Sequence, residues 1–243
     1  MSHGWLRPSW PVPAGVRAVC TLRQGGVSAP PFASLNLALH VGDEPEAVAE
    51  NRRRVRTALN LPAEPLWLEQ VHGAQVADAD AADVSGPADG AVTTRAGCVL
   101  AILIADCMPV LLASEDGRVL ACAHAGWRGL AAGVLEATVR AMRVEPPRIH
   151  AWLGPAIGTD HFEVGAEVRD EFLAQDPRAG AAFTSNARGR WQCDLQNLAR
   201  QRLAALGLHR VSSANVCTYA QAEACFSYRR DGRTGRMAAL IWR

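Results

Sequence analysis

The amino-acid sequence predicts an α+β protein built of mixed β-sheets packed with helices. Three observations carry this. Short apolar, β-branched runs recur along the chain, amphipathic helical segments separate them, and one pair of runs is joined by a hairpin signal that a strictly alternating α/β fold would not need.

Taken in order, residues 17–22 alternate and then meet Gly25-Gly26, a strand followed by a turn. Asp43, with Pro45 and Glu46 behind it, reads as an N-cap, a first-turn proline and a capping acid for a helix running to about Leu59. The Arg52–Arg54 cluster on that helix reads as a solvated face. Residues 99–105 form a continuous apolar run, expected as a buried strand. Residues 110–113 and 119–123 flank Ser114-Glu115-Asp116-Gly117, a hairpin. Apolar residues at 130, 134, 135, 139 and 142 have helical spacing. Residues 164–173 and 195–206 are further helices, and 211–217 and 237–242 are strands. No internal repeat, low-complexity tract or linker interrupts the 243 residues, so 1–243 is expected to be a single domain.

Composition narrows the function classes. The net charge is +1, from 25 basic and 24 acidic residues, which gives no footprint for nucleic acid or an anionic membrane. Every basic side chain is arginine. A Schiff-base enzyme, a pyridoxal phosphate anchor and a Walker-type phosphate lysine are therefore excluded, whereas arginine can still clamp phosphate with two hydrogen bonds. The Met1 to Trp10 segment has no apolar signal-peptide core, and the 99–105 run is too short to span a bilayer, so a cytoplasmic protein is expected. Seven cysteines, odd in number and irregularly spaced, suit buried thiols with room for one ligand or nucleophile rather than a disulfide framework.

Hairpin register places chemistry. A four-residue loop would set Ala113 opposite Arg118 and Cys107 opposite His124; a two-residue Asp116-Gly117 turn would shift the pairing by two. Either way Cys107 and His124 emerge together at the hairpin mouth. His72, in Gln70-Val71-His72-Gly73, is a third metal-capable side chain at a strand end. Two imidazoles and a thiolate suit zinc or copper, and three protein donors leave a position open, the mark of a catalytic site. Spacing alone does not bring His72 to the other two. The bland reading is a small buried cysteine and ordinary hydrogen-bonded histidines. A metal-free thiolate–imidazolium pair of Cys107 and His124 is also open. No His-x-His pair exists for multicopper chemistry, the zinc cytidine-deaminase pattern is missing, and no Gly-x-Gly-x-x-Gly follows a strand.

At these residues the chain resembles a known family. Leu22 to Ser28 (LRQGGVS), Ser34-Leu35-Asn36-Leu37, His40-Val41-Gly42-Asp43, Gln70-Val71-His72-Gly73, Ala105-Asp106-Cys107-Met108-Pro109 and His124-Ala125-Gly126-Trp127-Arg128-Gly129 are similar to motifs of the YfiH family, also called laccase-domain or polyphenol-oxidase-like. Leu153 to Gly158, Phe162-Glu163-Val164-Gly165, Cys217-Thr218, Phe226 to Asp231 and Thr234-Gly235-Arg236 follow in the same order. The resemblance implies a fold similar to the catalytic domain of cytotoxic necrotizing factor toxins, with zinc, or copper, on His72, Cys107 and His124. It implies phosphorolysis of adenosine, inosine and methylthioadenosine with inorganic phosphate as co-substrate, and adenosine deamination. Two other activities attach to the family: copper-dependent polyphenol oxidation, and a role in peptidoglycan precursor editing, for which a Cys–His amidase or hydrolase would serve. Arg23, Asn36, Asp106, Arg128 and Arg229 are candidate substrate-binding residues, with Asp106 also a candidate proton carrier. Arg230, Trp127 and Phe226 are further candidates for phosphate or base contact. The oligomeric state is left open.

Overall fold

The computed structural model describes residues 5–243; Met1–Gly4, the start of the N-terminal segment read above, lies outside them. The elements in chain order begin with β1 (Arg17–Cys20), α1 (Pro45–Leu59), β2 (Leu66–Trp67), β3 (Val76–Asp78), β4 (Gly90–Thr93), β5 (Leu100–Ile104), β6 (Met108–Ser114) and β7 (Leu120–Ala125). They continue with α2 (Trp127–Ala132), α3 (Val134–Met142), β8 (Ile149–Leu153), β9 (Glu163–Val164), α4 (Ala166–Gln175), β10 (Phe183–Ser185), β11 (Trp191–Cys193), α5 (Leu195–Ala205), β12 (Arg210–Ser213), α6 (Tyr228–Asp231) and β13 (Met237–Trp242). The fold is α+β with mixed sheets, as the pattern implied.

One sheet has the order β12-β8-β6-β7-β4-β3, a second β1-β13-β5-β2, and a small third β10-β11-β9. The pleat explains the layering. In β6, Met108, Val110 and Leu112 face a core shared with Leu135 and Val139 of α3, Phe172 of α4 and Leu198 of α5. The alternate residues Leu111 and Ala113 face Leu100, Ile102 and Ile104 of β5 on the second sheet. On the far side of that sheet Ala101, Leu103, Ala238 and Leu240 pack against Val55 and Leu59 of α1. The order is thus helices, sheet, sheet, helix. β5 and β6 are buried on both faces, which is why they read as continuous apolar runs rather than alternating ones. Each fully buried leucine or isoleucine there contributes about 1.5–3 kcal/mol.

Several local features differ from the sequence reading. The 130–142 helix is broken by Gly133, at φ 89°, into α2 and α3. The N-cap of α1 is Glu44, one residue later than expected, and the Asp43 carboxylate instead accepts from Ser28 Oγ (2.6 Å) and Asn36 Nδ2 (2.8 Å). Arg52 is not on a solvated face. Its guanidinium lies 4.1 Å from the Trp67 ring centroid and its Nε donates to the Leu37 carbonyl. β12 stops at Ser213, and Asn215 turns the chain away at φ 53°. No described helix is long and apolar enough to cross a membrane.

Candidate metal centre and active-site cavity

The β6–β7 hairpin takes the register with Ala113 opposite Leu120 and Pro109 opposite His124, the one a two-residue turn implies. Cys107 therefore lies just beyond the last pair, Met108 with Ala125, rather than level with His124. Ala105-Asp106-Cys107 bridges the end of β5 and the start of β6, so the thiol sits where the two large sheets meet. Asp106 makes that turn at φ 89°, a conformation that non-glycine residues seldom adopt. Both of its carboxylate oxygens are occupied. Oδ1 accepts from Thr218 Oγ1 (2.5 Å), and Oδ2 accepts from Ser227 Oγ (3.0 Å) and the Arg229 amide (2.7 Å). Asp106 thus ties the C-terminal segment to the turn that presents Cys107.

His124 is buried near the end of β7. Its Nδ1 lies 2.8 Å from Asp89 Oδ1. The same carboxylate accepts from the amides of Val71 (3.0 Å), His72 (2.9 Å) and Gly73 (2.7 Å). One buried acid thereby orients one histidine by its ring and another by its backbone. The loop has a second anchor: Gln70 Nε2 donates to the Leu103 carbonyl and Gln70 Oε1 accepts the Leu103 amide, as a neighbouring strand would. His72 itself sits at φ 62°, held there by these bonds.

The donor atoms of His72, Cys107 and His124 lie within 4.8 Å of one another. The two imidazoles meet edge to face, with ring centroids 4.8 Å apart. A Cβ at position 126 would lie 2.7 Å from Cys107 Sγ, so Gly126 is what lets the chain pass the sulfur. Among the described residues this is the one cluster of metal-capable side chains. A thiolate with two imidazoles fits zinc or copper, and three donors are one short of a closed structural zinc site.

The electrostatics prepare the donors. Burial pushes the Cys107 thiol up, but the charge of His124, hydrogen bonds from His124 and His72, and the charge of His72 outweigh it, leaving the thiol at about 6. Burial pulls His124 down, but the Cys107 thiolate and the Asp89 hydrogen bond raise it to about 9. Asp89 would be pushed up by burial; the His124 hydrogen bond, the Gly73 amide, the His124 charge and the Val71 amide hold it below the ordinary carboxylate value. An ionised Asp89 accepts from His124 Nδ1–H and leaves Nε2 as the ligating atom.

The cluster forms part of a cavity of about 550 Å³. That volume suits a molecule of nucleoside size. Arg128, Arg229, Asp106 and Trp127 line it with the three donors. Arg23 does not: its guanidinium donates to the carbonyls of Ala33 and Ala222 and stacks 4.9 Å from the Phe226 centroid. Phe226 is fully buried under it. Asn36 is also fully buried, bonded to Ala38, Asp43 and the Arg236 amide. Arg230 donates to the carbonyls of Thr218, Tyr219 and Cys225. Sequence reasoning missed Asp89 and the cavity residues His40, Gln70, Tyr228 and Arg236. Asp89 stands in Pro87-Ala88-Asp89-Gly90, which reads only as a turn.

The chain is similar to known proteins over nearly its whole length. The family model described as multi-copper polyphenol oxidoreductase laccase matches residues 17–243. The chain is 50% identical over 236 residues, 97% of each chain, to a protein of Escherichia coli (strain K12) named purine nucleoside phosphorylase YfiH. It is 49% identical over 241 residues, 99% of this chain and 98% of the relative, to purine nucleoside phosphorylase PA4543 of Pseudomonas aeruginosa. The crystal structure of Neisseria meningitidis protein NMB0706 superposes with a TM-score of 0.94 at 46% identity, covering 98% of each chain.

Proposed function

The chain belongs to the family described as multi-copper polyphenol oxidoreductase laccase, and from that premise we propose that it is a zinc-dependent purine nucleoside phosphorylase, acting on adenosine, inosine and methylthioadenosine, with adenosine deaminase activity. Residues 1–243 act in this reading as one cytoplasmic domain. The observation that carries it is the donor set of His72, Cys107 and His124 opening into an arginine-lined cavity of nucleoside size. The names borne by the relatives from Escherichia coli and Pseudomonas aeruginosa support it.

Zinc on these three residues would supply Lewis acidity beside the purine, and copper is the alternative occupant. In phosphorolysis a phosphate oxygen bonds to ribose C1′, the bond from C1′ to the purine nitrogen breaks, its electron pair goes to the base, and the base takes up a proton. Trp127, Phe162 and Tyr228 line the cavity and offer aromatic faces to the purine. Arg128 and Arg229, exposed at the mouth, attract the anionic co-substrate. Leu103, Ala105 and Ile157 exclude water from the reacting centre. Asp106 serves as the anchor of the Cys107 turn, since both its oxygens already accept hydrogen bonds. His124 holds a proton at Nδ1 toward Asp89, which keeps Nε2 free to ligate.

Cys107→Ala is expected to lower release of hypoxanthine from inosine by about 10- to 100-fold or more, since losing a ligand should cost no less than losing the carboxylate that orients one. Product analysis with and without phosphate measures it, and unchanged turnover would sink the role of the thiolate. Two observations favour rival readings. The depressed thiol of Cys107 beside His124 suits a Cys–His hydrolase or amidase, whose activity would survive a chelator and be lost to a thiol reagent. The family's description suits a copper-dependent phenol oxidase, which would consume oxygen only when copper-loaded.

A further inference from the structure

The cavity wall carries more positive than negative charge, three arginines against Asp106 and the Cys107 thiol. Arg128, Arg229 and Arg236 all line it. Among the described residues none of the three makes an ion pair with a carboxylate. The acid on the cavity wall, Asp106, is saturated by Thr218, Ser227 and the Arg229 amide.

The three arginines are not equivalent. Arg128 is exposed and lies over the Trp127 ring. Arg229 is exposed and gives Nη1 to the Glu163 carbonyl. Arg236 is half-buried, and only its Nη1 is engaged, by the carbonyls of Thr234 (2.8 Å) and Gly235 (3.0 Å). Its Nε and Nη2 donate to no acceptor among the described residues and are not sealed from solvent.

Its backbone is fixed on both sides. The Arg236 amide donates to Asn36 Oδ1 (2.9 Å), and its carbonyl accepts the Leu37 amide (3.1 Å). At the preceding Gly235 a Cβ would lie 2.7 Å from Phe226 Cζ and 2.9 Å from Asn36 Cβ, so the bend is set by packing. The fully buried Asn36 therefore acts as the pin of this arginine. His40 lines the same cavity, and its imidazole is held below its ordinary pKa by burial and then by the charges of Arg236 and Arg52, which places the Arg236 guanidinium close to it. The charges of Cys107 and Asp106 reach Arg236 without a hydrogen bond or ion pair to it, so a half-buried cation with unused donors still gains from an anion in direct contact.

The geometry points to an oxyanion subsite in which Arg236 forks two donors onto inorganic phosphate and His40 adds a third, beside the His72–Cys107–His124 cluster. A guanidinium fork matches two phosphate oxygens. This assignment deepens the phosphorylase reading and rests on it for the identity of the anion. Arg236 binds the co-substrate, while Arg128 and Arg229 guide it from the mouth.

The test is steady-state phosphorolysis of inosine by Arg236→Gln and His40→Asn, varying phosphate and inosine separately, with metal content and thermal midpoint measured on each protein. Arg236→Gln is expected to raise KM for phosphate roughly 10- to 100-fold, as loss of a charge-assisted bidentate contact should. KM for inosine and metal content should stay near the parent values, and sulfate, an inhibitor competitive with phosphate in the parent, should lose its effect. His40→Asn should raise KM for phosphate by less, and it tests the subsite even if Arg236→Gln folds poorly. An unchanged KM for phosphate in both variants overturns the subsite while leaving the phosphorylase reading intact. So does an equal fall in kcat with neither KM moved. A loss confined to a nucleoside 5′-monophosphate as substrate overturns the assignment to free phosphate. If the parent protein phosphorolyses no nucleoside, the functional reading fails on its own, and calorimetric titration with inorganic phosphate decides the subsite. Binding by the parent and not by Arg236→Gln upholds it, and no binding by the parent overturns it.

Discussion

The two sides of the candidate metal centre are built differently. His124 belongs to the β6–β7 hairpin, where a ladder from Met108–Ala125 to Ala113–Leu120 fixes the backbone, and Cys107 directly adjoins the last pair of that ladder. His72 belongs to a loop with no ladder along it: backbone bonds tie its ends at Glu69 and Gln75, and between them two side chains, Asp89 and Gln70, hold it. A donor on a ladder inherits its position from many backbone bonds, each replaceable. A donor on a loop depends on a few specific groups, and one of these, Asp89, reaches across to His124 as well. The loop side should therefore be the weaker half, and Asp89 the point at which both fail.

Asp89→Ala should have the largest effect. It removes a buried carboxylate that accepts from three amides and an imidazole, leaving them unpaired. Breaking one partner of a buried, hydrogen-bonded charge cluster costs about 3–5 kcal/mol. Zinc affinity should fall at least about 10- to 100-fold, the usual cost of losing a carboxylate that orients a ligating histidine. Urea unfolding and a metal-competition titration measure the two quantities. If affinity falls while stability does not, the loop is held by something other than Asp89.

This asymmetry also explains what the sequence made legible. The β5 run and the β6–β7 hairpin could be read because apolar runs and turn residues are local signals. The neighbourhood of Cys107 and His124 followed from counting along that hairpin, although the observed register is the two-residue alternative. His72 could not be reached by counting, because Asp89 holds it across 17 positions with amide bonds that any sequence could supply. Only the motif resemblance recruited it. Arg236 was hidden for a related reason. Its role depends on what does not pair with it, and the absence of an ion partner is a property of the folded cavity. Arg23 and Asn36 show the reverse. Each stands in a motif that suggests ligand contact, and each spends its hydrogen bonds inside the protein.

Gln70→Ala isolates the loop side and should do less. It deletes two hydrogen bonds to Leu103, worth roughly 1–3 kcal/mol together. Zinc affinity should drop by less than in Asp89→Ala. The thiol of Cys107 should stay acidic, because its largest acid-strengthening contribution comes from His124 on the hairpin. Thiolate absorbance against pH, set beside metal affinity, separates the halves. Equal damage to both would show that loop and ladder form one unit.

The smallest effect is expected from pH on the stability of the metal-free protein. Cys107, depressed to about 6, contributes stability that is present above the pKa of the unfolded thiol and is lost as pH falls through about 6. His124, raised to about 9, contributes stability that is present below the unfolded imidazole value and is lost as pH rises through about 9. Between these limits the folded pair is thiolate with imidazolium, and the unfolded pair is thiol with neutral imidazole. Both hold one proton, so folding takes up or releases none and the two slopes cancel. Stability from this pair should therefore be level between about 6.5 and 8.5, the unfolded imidazole and thiol values. The thiolate absorbance should nonetheless appear with a midpoint near 6. Cys107→Ala breaks the cancellation. It removes the largest influence raising His124, so the imidazole should titrate below about 9. Stability attributable to His124 would then decline with rising pH through that lower value, a slope that urea midpoints measured across the range would reveal. A decline still running out to about 9 in the variant would mean that Asp89 alone sets the charge of His124, making the loop side the electrostatic keeper of the site, whereas a level profile would mean that the thiolate on the hairpin side alone raised it.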